Sequence, residues 1–168
     1  MLLTKEDSSL MQLFFLRHGR ADRSAWQGDD VQRPLTPQGR ARMQQQAQQL
    51  NRLGLTVDYV LSSPLVRAVQ TAEIVVAALT IKHRLVLDDR LRPGFDLAKL
   101  ETVLTDHTTA HKLMLVGHEP DFSTVIGRLI GDGQVICKKG GLARVDLDAP
   151  HALRGTLVWL LPPRALMR

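Results

Sequence analysis

Two arginines and two histidines stand at matching places in this chain of 168 residues. Arg17 and His18 close an apolar run, Arg67 sits just inside a helix opening, and His118 follows a second apolar run. Each follows the same order of strand, polar residue and turn into a helix. In a mostly parallel sheet covered by helices, such residues gather at one edge, where the carboxyl ends of the strands bind ligands. Cations gathered there repel one another unless an anion joins them. A phosphoryl group fits best, because arginine bonds its oxygens bidentately and phosphoryl transfer depends chiefly on electrostatic stabilisation. One histidine can act as nucleophile if its attacking nitrogen is unprotonated and an acceptor holds the proton on the other.

The elements that must position these residues are readable in the pattern. Residues 11–16 form a short apolar run ending at Arg17, which predicts a buried strand. Residues 19–34 are polar and long for a connection, and long loops are often functional. Asp29 and Asp30 raise a metal hypothesis there, but no matching ligand set follows, and a solvated loop is the simpler reading. Thr36-Pro37 opens a helix, with Met43, Ala47 and Leu50 on its buried face and the glutamines at 44–46 and 48–49 on its wet face. Residues 57–61 read as a second strand. Ser62-Ser63-Pro64 then opens a second helix, with Ser63 as its cap, Ala68, Ala72 and Val75 buried, and Arg67 in the first turn. An arginine there opposes the helix dipole and is best explained by an anion between them. A short strand at 85–87, an irregular stretch at 88–96, a helix at 97–105 and a buried strand at 112–116 follow. Gly117-His118-Glu119-Pro120 leads into another helix, and residues 142–147 and 155–161 read as the last strands. The expected architecture is a three-layer α/β/α domain without a cap. Residues 1–10 are expected to be an N-terminal extension, with Met11 an alternative start, and 11–168 the domain itself.

Composition narrows the partners. The net charge is +5, with 16 arginines against 6 lysines, which suits an anionic partner. There is no zinc-finger spacing, no aromatic platform and no long basic run, so nucleic acid is a poor match. No apolar stretch approaches a membrane span and no signal-peptide pattern is present. The single cysteine, Cys137, excludes an internal disulfide and fits a reducing cytoplasm. Val135-Ile136 before it reads as strand, which makes Cys137 a packing residue rather than a nucleophile. No heptad is present, and a monomer is expected. No Walker loop and no magnesium-type carboxylate set occur, so a reaction without metal or cofactor is the simpler inference.

Four blocks in order resemble the histidine phosphatase superfamily, the phosphoglycerate-mutase-like proteins. They are Leu16-Arg17-His18-Gly19, Arg33-Pro34-Leu35-Thr36-Pro37-Gln38-Gly39, residues 62–72 around Arg67, and Val116-Gly117-His118-Glu119-Pro120. The short length, and an ending at 140–148 that reads GGLARVDLD, are most similar to the SixA-type phosphohistidine phosphatases. The resemblance implies that His18 is the nucleophile and that Arg17 and Arg67 clamp the phosphate. It implies that His118 binds the phosphoryl oxygens and stabilises the transition state. Arg33 falls in a block whose role is open: it either reaches the phosphate or holds the loop.

Many relatives carry a glutamate between the second arginine block and the second histidine block, as proton donor to the leaving group. Residues 88–96 here contain none; Arg92-Pro93-Gly94 stands about where it is expected. Asp89 and Asp96 are the candidates to replace it, against a plain role as surface carboxylates. An alkoxide leaves poorly without a proton. A phosphohistidine leaves as neutral imidazole once its second ring nitrogen is protonated, which happens near neutral pH. The expectation is therefore a phosphatase acting on phosphohistidine in a signalling or phosphotransfer protein. The alternatives are a broad small-molecule phosphomonoesterase and, from another class, a non-catalytic phosphoprotein-binding adaptor.

Overall fold

The computed structural model describes residues 10–149 and 152–167. The expected extension at 1–10 lies outside the described residues except for Leu10.

Six strands form one mixed sheet in the order β3-β2-β4-β1-β5-β6. They are β1 (Gln12–Arg17), β2 (Tyr59–Ser62), β3 (Leu85–Leu87), β4 (Lys112–Gly117), β5 (Leu142–Leu147) and β6 (Gly155–Leu161). β1, β2, β3 and β4 run parallel, and β5 and β6 close one side antiparallel. The side-chain alternation of a strand separates two cores. Leu13, Phe15, Leu61, Leu113 and Leu115 face one side, where α3 (Leu97–Asp106) and α4 (Asp121–Leu129) supply Leu100, Leu104, Val125 and Ile126. Phe14, Leu16, Val60, Met114 and Val116 face the other, covered by Met43, Ala47 and Leu50 of α1 (Pro37–Arg52) and Ala68, Ala72 and Val75 of α2 (Val66–Ala78). The central strands are buried on both faces, as a parallel sheet between helix layers requires. The result is the expected three-layer α/β/α domain.

Helix starts follow local chemistry, with one correction. The Thr36 hydroxyl accepts the Gly39 N–H at 2.9 Å, and Pro37 takes the first helical position, as expected. Ser63 does not cap α2 and Pro64 does not begin it; the helix starts at Val66, with Leu65 as N-cap and no side-chain cap bond. The Ser63 hydroxyl is instead 2.8 Å from His118 Nε2. Two further expectations are corrected. Gln46, placed on the wet face of α1, is 1% exposed, and its amide donates to Gly140 O at 3.3 Å. Residues 135–137 form no strand but an irregular segment, in which Cys137 N–H donates to Ser123 Oγ. Cys137 is nevertheless buried, and burial pushes its thiol up to about 11, so it stays protonated near neutral pH.

Candidate active site

The order of the sheet brings the sequence blocks together. β2, β4 and β1 are adjacent and parallel, so the residues leaving their carboxyl ends share one edge. Arg17 ends β1, with His18 directly after it. His118 follows β4, and its ring lies 5.3 Å from that of His18, centroid to centroid. Arg67 enters from the second position of α2, and its Nε donates toward His18 Nε2 at 3.3 Å. All four residues predicted from the motifs therefore meet.

His18 is held in one tautomer. Its Nδ1 lies 2.7 Å from the Gly19 carbonyl oxygen, which can only accept, so Nδ1 carries the proton. Nε2 then keeps its lone pair, which takes the Arg67 Nε–H. His18 is 6% exposed. Burial holds its pKa down to about 3, with the charges of Arg67 and Arg17 and the neighbouring His118 adding to the effect and the Gly19 hydrogen bond opposing it. The imidazole is neutral at physiological pH.

The backbone around His18 is fixed from several directions. Gly19 N–H donates to Thr71 Oγ1 on α2 at 3.1 Å, and that hydroxyl donates to Arg67 O at 2.7 Å. A Cβ on Gly19 would lie 2.6 Å from Met43 Cγ, so glycine allows α1 to close against the turn. Gly140, at φ +75°, sends its N–H to the carbonyl oxygens of Arg17 and His18, both at 3.1 Å.

Two of the site residues keep polar atoms in reserve. Arg17 Nη1 donates to Cys137 O at 2.9 Å, while its Nε is buried without a partner among the described residues. His118 is 4% exposed; Ser63 meets its Nε2, and its Nδ1 has no partner among the described residues. Burial, reinforced by Arg67 and Arg33, lowers the His118 pKa to about 4. Burial likewise lowers the pKa of both Arg17 and Arg67, so their charges are incompletely compensated.

Asp30 is the participant that the sequence pattern did not single out for this role. The sequence groups it with Asp29 in a solvated loop; its side chain is indeed part-exposed there, and the structure adds its pairing with two arginines. Asp30 Oδ2 pairs with Arg67 Nη2 at 3.1 Å, and its backbone carbonyl accepts from Arg67 Nη1 at 2.8 Å. Its other oxygen takes Arg33 Nε at 2.9 Å. Burial works to raise the Asp30 pKa, but the Arg33 hydrogen bond and the charges of Arg67, Arg33 and Arg23 outweigh it and hold the pKa below the usual range. Arg33 also donates to Ala21 O. It thus ties residues 21 and 30 together, the loop-holding alternative, and stands one ion pair from Arg67.

The carboxylates at 88–96 are occupied elsewhere. Asp88 is bound by Arg90, which also reaches Asp106 at 2.6 Å. Asp89 pairs with Arg92 at 2.7 Å and is 82% exposed. Asp96 is the N-cap of α3, accepting Lys99 N–H at 2.9 Å. Both candidate replacement acids are thus bound to partners outside the four site residues. Among the described residues, no group of three or more His, Cys, Asp or Glu is placed to hold a metal ion, and no helix is long and apolar enough to cross a membrane.

Comparison with known proteins agrees with this geometry. An uncharacterized protein of Picosynechococcus sp. is 45% identical over 90% of this chain and 100% of its own length. The phosphohistidine phosphatase SixA of Escherichia coli is 28% identical over 91% of this chain and 94% of its own. A solved structure of the protein histidine phosphatase SixA, complexed with tungstate, superposes with a TM-score of 0.82 at 27% identity, covering 93% of this chain and 99% of that one. The sequence profile of the histidine phosphatase superfamily (branch 1) matches residues 13–118, which run from β1 to the second histidine. The chain belongs to the histidine phosphatase superfamily.

Proposed function

We propose that this chain is a metal-independent phosphohistidine phosphatase, working in the cytoplasm as a monomer on a phosphohistidine-bearing signalling or phosphotransfer protein. The observation that carries the catalytic part is the state of His18: buried, neutral, with its proton on Nδ1 and its Nε2 lone pair beside Arg67. A lone pair held in this way is a nucleophile that needs no deprotonation before attack.

In the first step a phosphoryl group enters and takes over the guanidinium of Arg67, freeing Nε2. Nε2 attacks phosphorus, the bond from phosphorus to the substrate's imidazole nitrogen breaks, and its electron pair leaves with that ring. The ring departs neutral if its other nitrogen is already protonated. In the tautomer that suits phosphoryl binding, the Ser63 O–H hydrogen-bonds to His118 Nε2 and the ring proton sits on Nδ1 as a donor to a phosphoryl oxygen. Arg17 Nε supplies another donor, and these preorganised groups stabilise the charge that develops in transfer. In the second step water attacks the phosphorus on His18. The bond to Nε2 breaks, its electron pair returns to Nε2, and phosphate leaves with the proton balance made by solvent.

The substrate class rests on what donates no proton. Asp30 is held ionised between Arg33 and Arg67, and Asp89 and Asp96 serve an ion pair and a helix cap. A positioned acid is often worth about 10²- to 10⁴-fold in rate, and an alkyl phosphate needs it most. The related SixA structure holds tungstate, a tetrahedral oxyanion like phosphate, in support of an oxyanion site in this fold.

The test compares a histidine-phosphorylated carrier protein with an alkyl phosphate, both in chelator, using the wild type and His18→Ala. Hydrolysis of the first alone, lost in the variant, is expected. Comparable hydrolysis of both would favour the small-molecule phosphomonoesterase. Binding of the phosphoprotein without turnover would favour the adaptor.

A further inference from the structure

We propose that the cleft beside the catalytic histidine docks an acidic segment of the phosphorylated protein substrate, an inference that rests on the function proposed above. The cleft has a volume of about 490 Å³ and shares Arg17 and Gly19 with the phosphoryl site. Its other charged lining is Arg20, Arg42, Lys138 and Lys139 against one carboxylate, Asp22, and that carboxylate is already bound by Arg20 at 2.9 Å. Arg42, Lys138 and Lys139 are exposed and form no ion pair among the described residues. None of the three takes part in the chemistry derived for His18. The excess of positive charge is therefore concentrated where a bound chain would border the reacting group.

The cleft's charge selects the kind of anion: the separate cationic side chains of Arg42, Lys138 and Lys139 suit the spaced side-chain carboxylates of the same polypeptide that carries the phosphohistidine. Complementary rim charges of this kind act mainly on encounter and on partner choice, and they weaken with salt.

The experiment uses three probes with the full chain: a phosphohistidine peptide flanked by glutamates, the same peptide with glutamines, and phosphoimidazole. The enzymes are the wild type, the neutral variant Arg42→Gln/Lys138→Gln/Lys139→Gln, and the reversed variant Arg42→Glu/Lys138→Glu/Lys139→Glu. At low salt the wild type should favour the acidic peptide by about tenfold in kcat/KM, through KM, as several exposed charge pairs together allow. The neutral variant should lose that preference and the reversed variant should invert it. Phosphoimidazole should be turned over within about twofold by all three. A wild type that hydrolyses both peptides equally, or a preference that survives in the neutral variant, overturns the docking role. A parallel loss on phosphoimidazole overturns it too, by assigning these residues to the chemistry. Failure of the wild type on every phosphohistidine probe overturns the underlying function, and the docking inference with it.

Discussion

The turns after β1, β2 and β4 and the stretch at 88–96 lie at the same edge of the sheet, yet they treat charge in opposite ways. At the first, polar groups are left wanting: Arg17 Nε and His118 Nδ1 are buried without partners among the described residues. At the second, every carboxylate is satisfied: Asp88 by Arg90, Asp89 by Arg92, Asp96 by the amino end of α3. A buried donor without a partner costs about 1–3 kcal/mol, so it persists where a ligand completes it. These carboxylates are spent on an ion pair, a helix cap and Arg90 rather than turned to the phosphoryl site. The difference separates anion capture from proton donation, and this molecule is built for the first.

The largest break in the comparison comes from the nucleophile. His18→Ala should lower phosphohistidine hydrolysis by at least about 10⁴-fold, because it removes the Nε2 lone pair, held beside Arg67, that attacks phosphorus. Removing one clamp should cost less. Arg17→Gln and Arg67→Gln are expected to reduce kcat by about 10²- to 10³-fold, the range for losing one preorganised donor, as steady-state kinetics would show. Asp30→Asn keeps the loop's shape but loses the ionic hold on Arg67 and Arg33. A fall of about tenfold in kcat/KM is expected, and an unchanged value would show that Arg67 needs no orienting partner.

The satisfied side of the comparison predicts small effects on rate. Asp89→Asn and Asp96→Asn should leave phosphohistidine hydrolysis within about twofold. Asp96→Ala should lower stability by about 1 kcal/mol through loss of the cap, read from denaturant midpoints. If either carboxylate proves to control the rate, the contrast between the two stretches fails.

The pH dependence of stability follows from the buried histidines. His18 and His118 bind protons less readily folded, at about 3 and 4, than unfolded, at about 6.5. The unfolded state therefore binds more protons below pH 6.5, and stability falls as pH drops from there toward the folded values. By pH 5 each histidine should cost about 2 kcal/mol relative to pH 7. His18→Gln should flatten that fall, and a melting profile as steep as that of the wild type would contradict the buried, neutral ring.

Much of this was legible in the residues. The alternation of Leu13 and Phe15 with Phe14 and Leu16 announces a strand buried on both faces, and the spacing of Met43, Ala47 and Leu50 announces the helix that covers it. The four polar residues were legible because each follows a strand. Partnerships across long sequence distance were not. Asp30 meets Arg67 37 residues away, and Ser63 meets His118 55 residues away. Ser63-Pro64 carries the pattern of a helix cap, but its hydroxyl is engaged by a histidine that no local rule could place beside it. Gln46 reads as a surface glutamine in a run of glutamines, and is buried because the segment at 138–140 folds over it.

The covalent intermediate on His18 can be trapped directly. Wild-type protein in chelator would be mixed with a phosphohistidine substrate and quenched within milliseconds into alkali, where phosphohistidine survives. The modified residue would then be mapped by mass spectrometry. Phosphate is expected on His18 alone, at Nε2, and none in His18→Ala. Turnover that continues in that variant, or phosphate on another residue, would contradict His18 as the nucleophile.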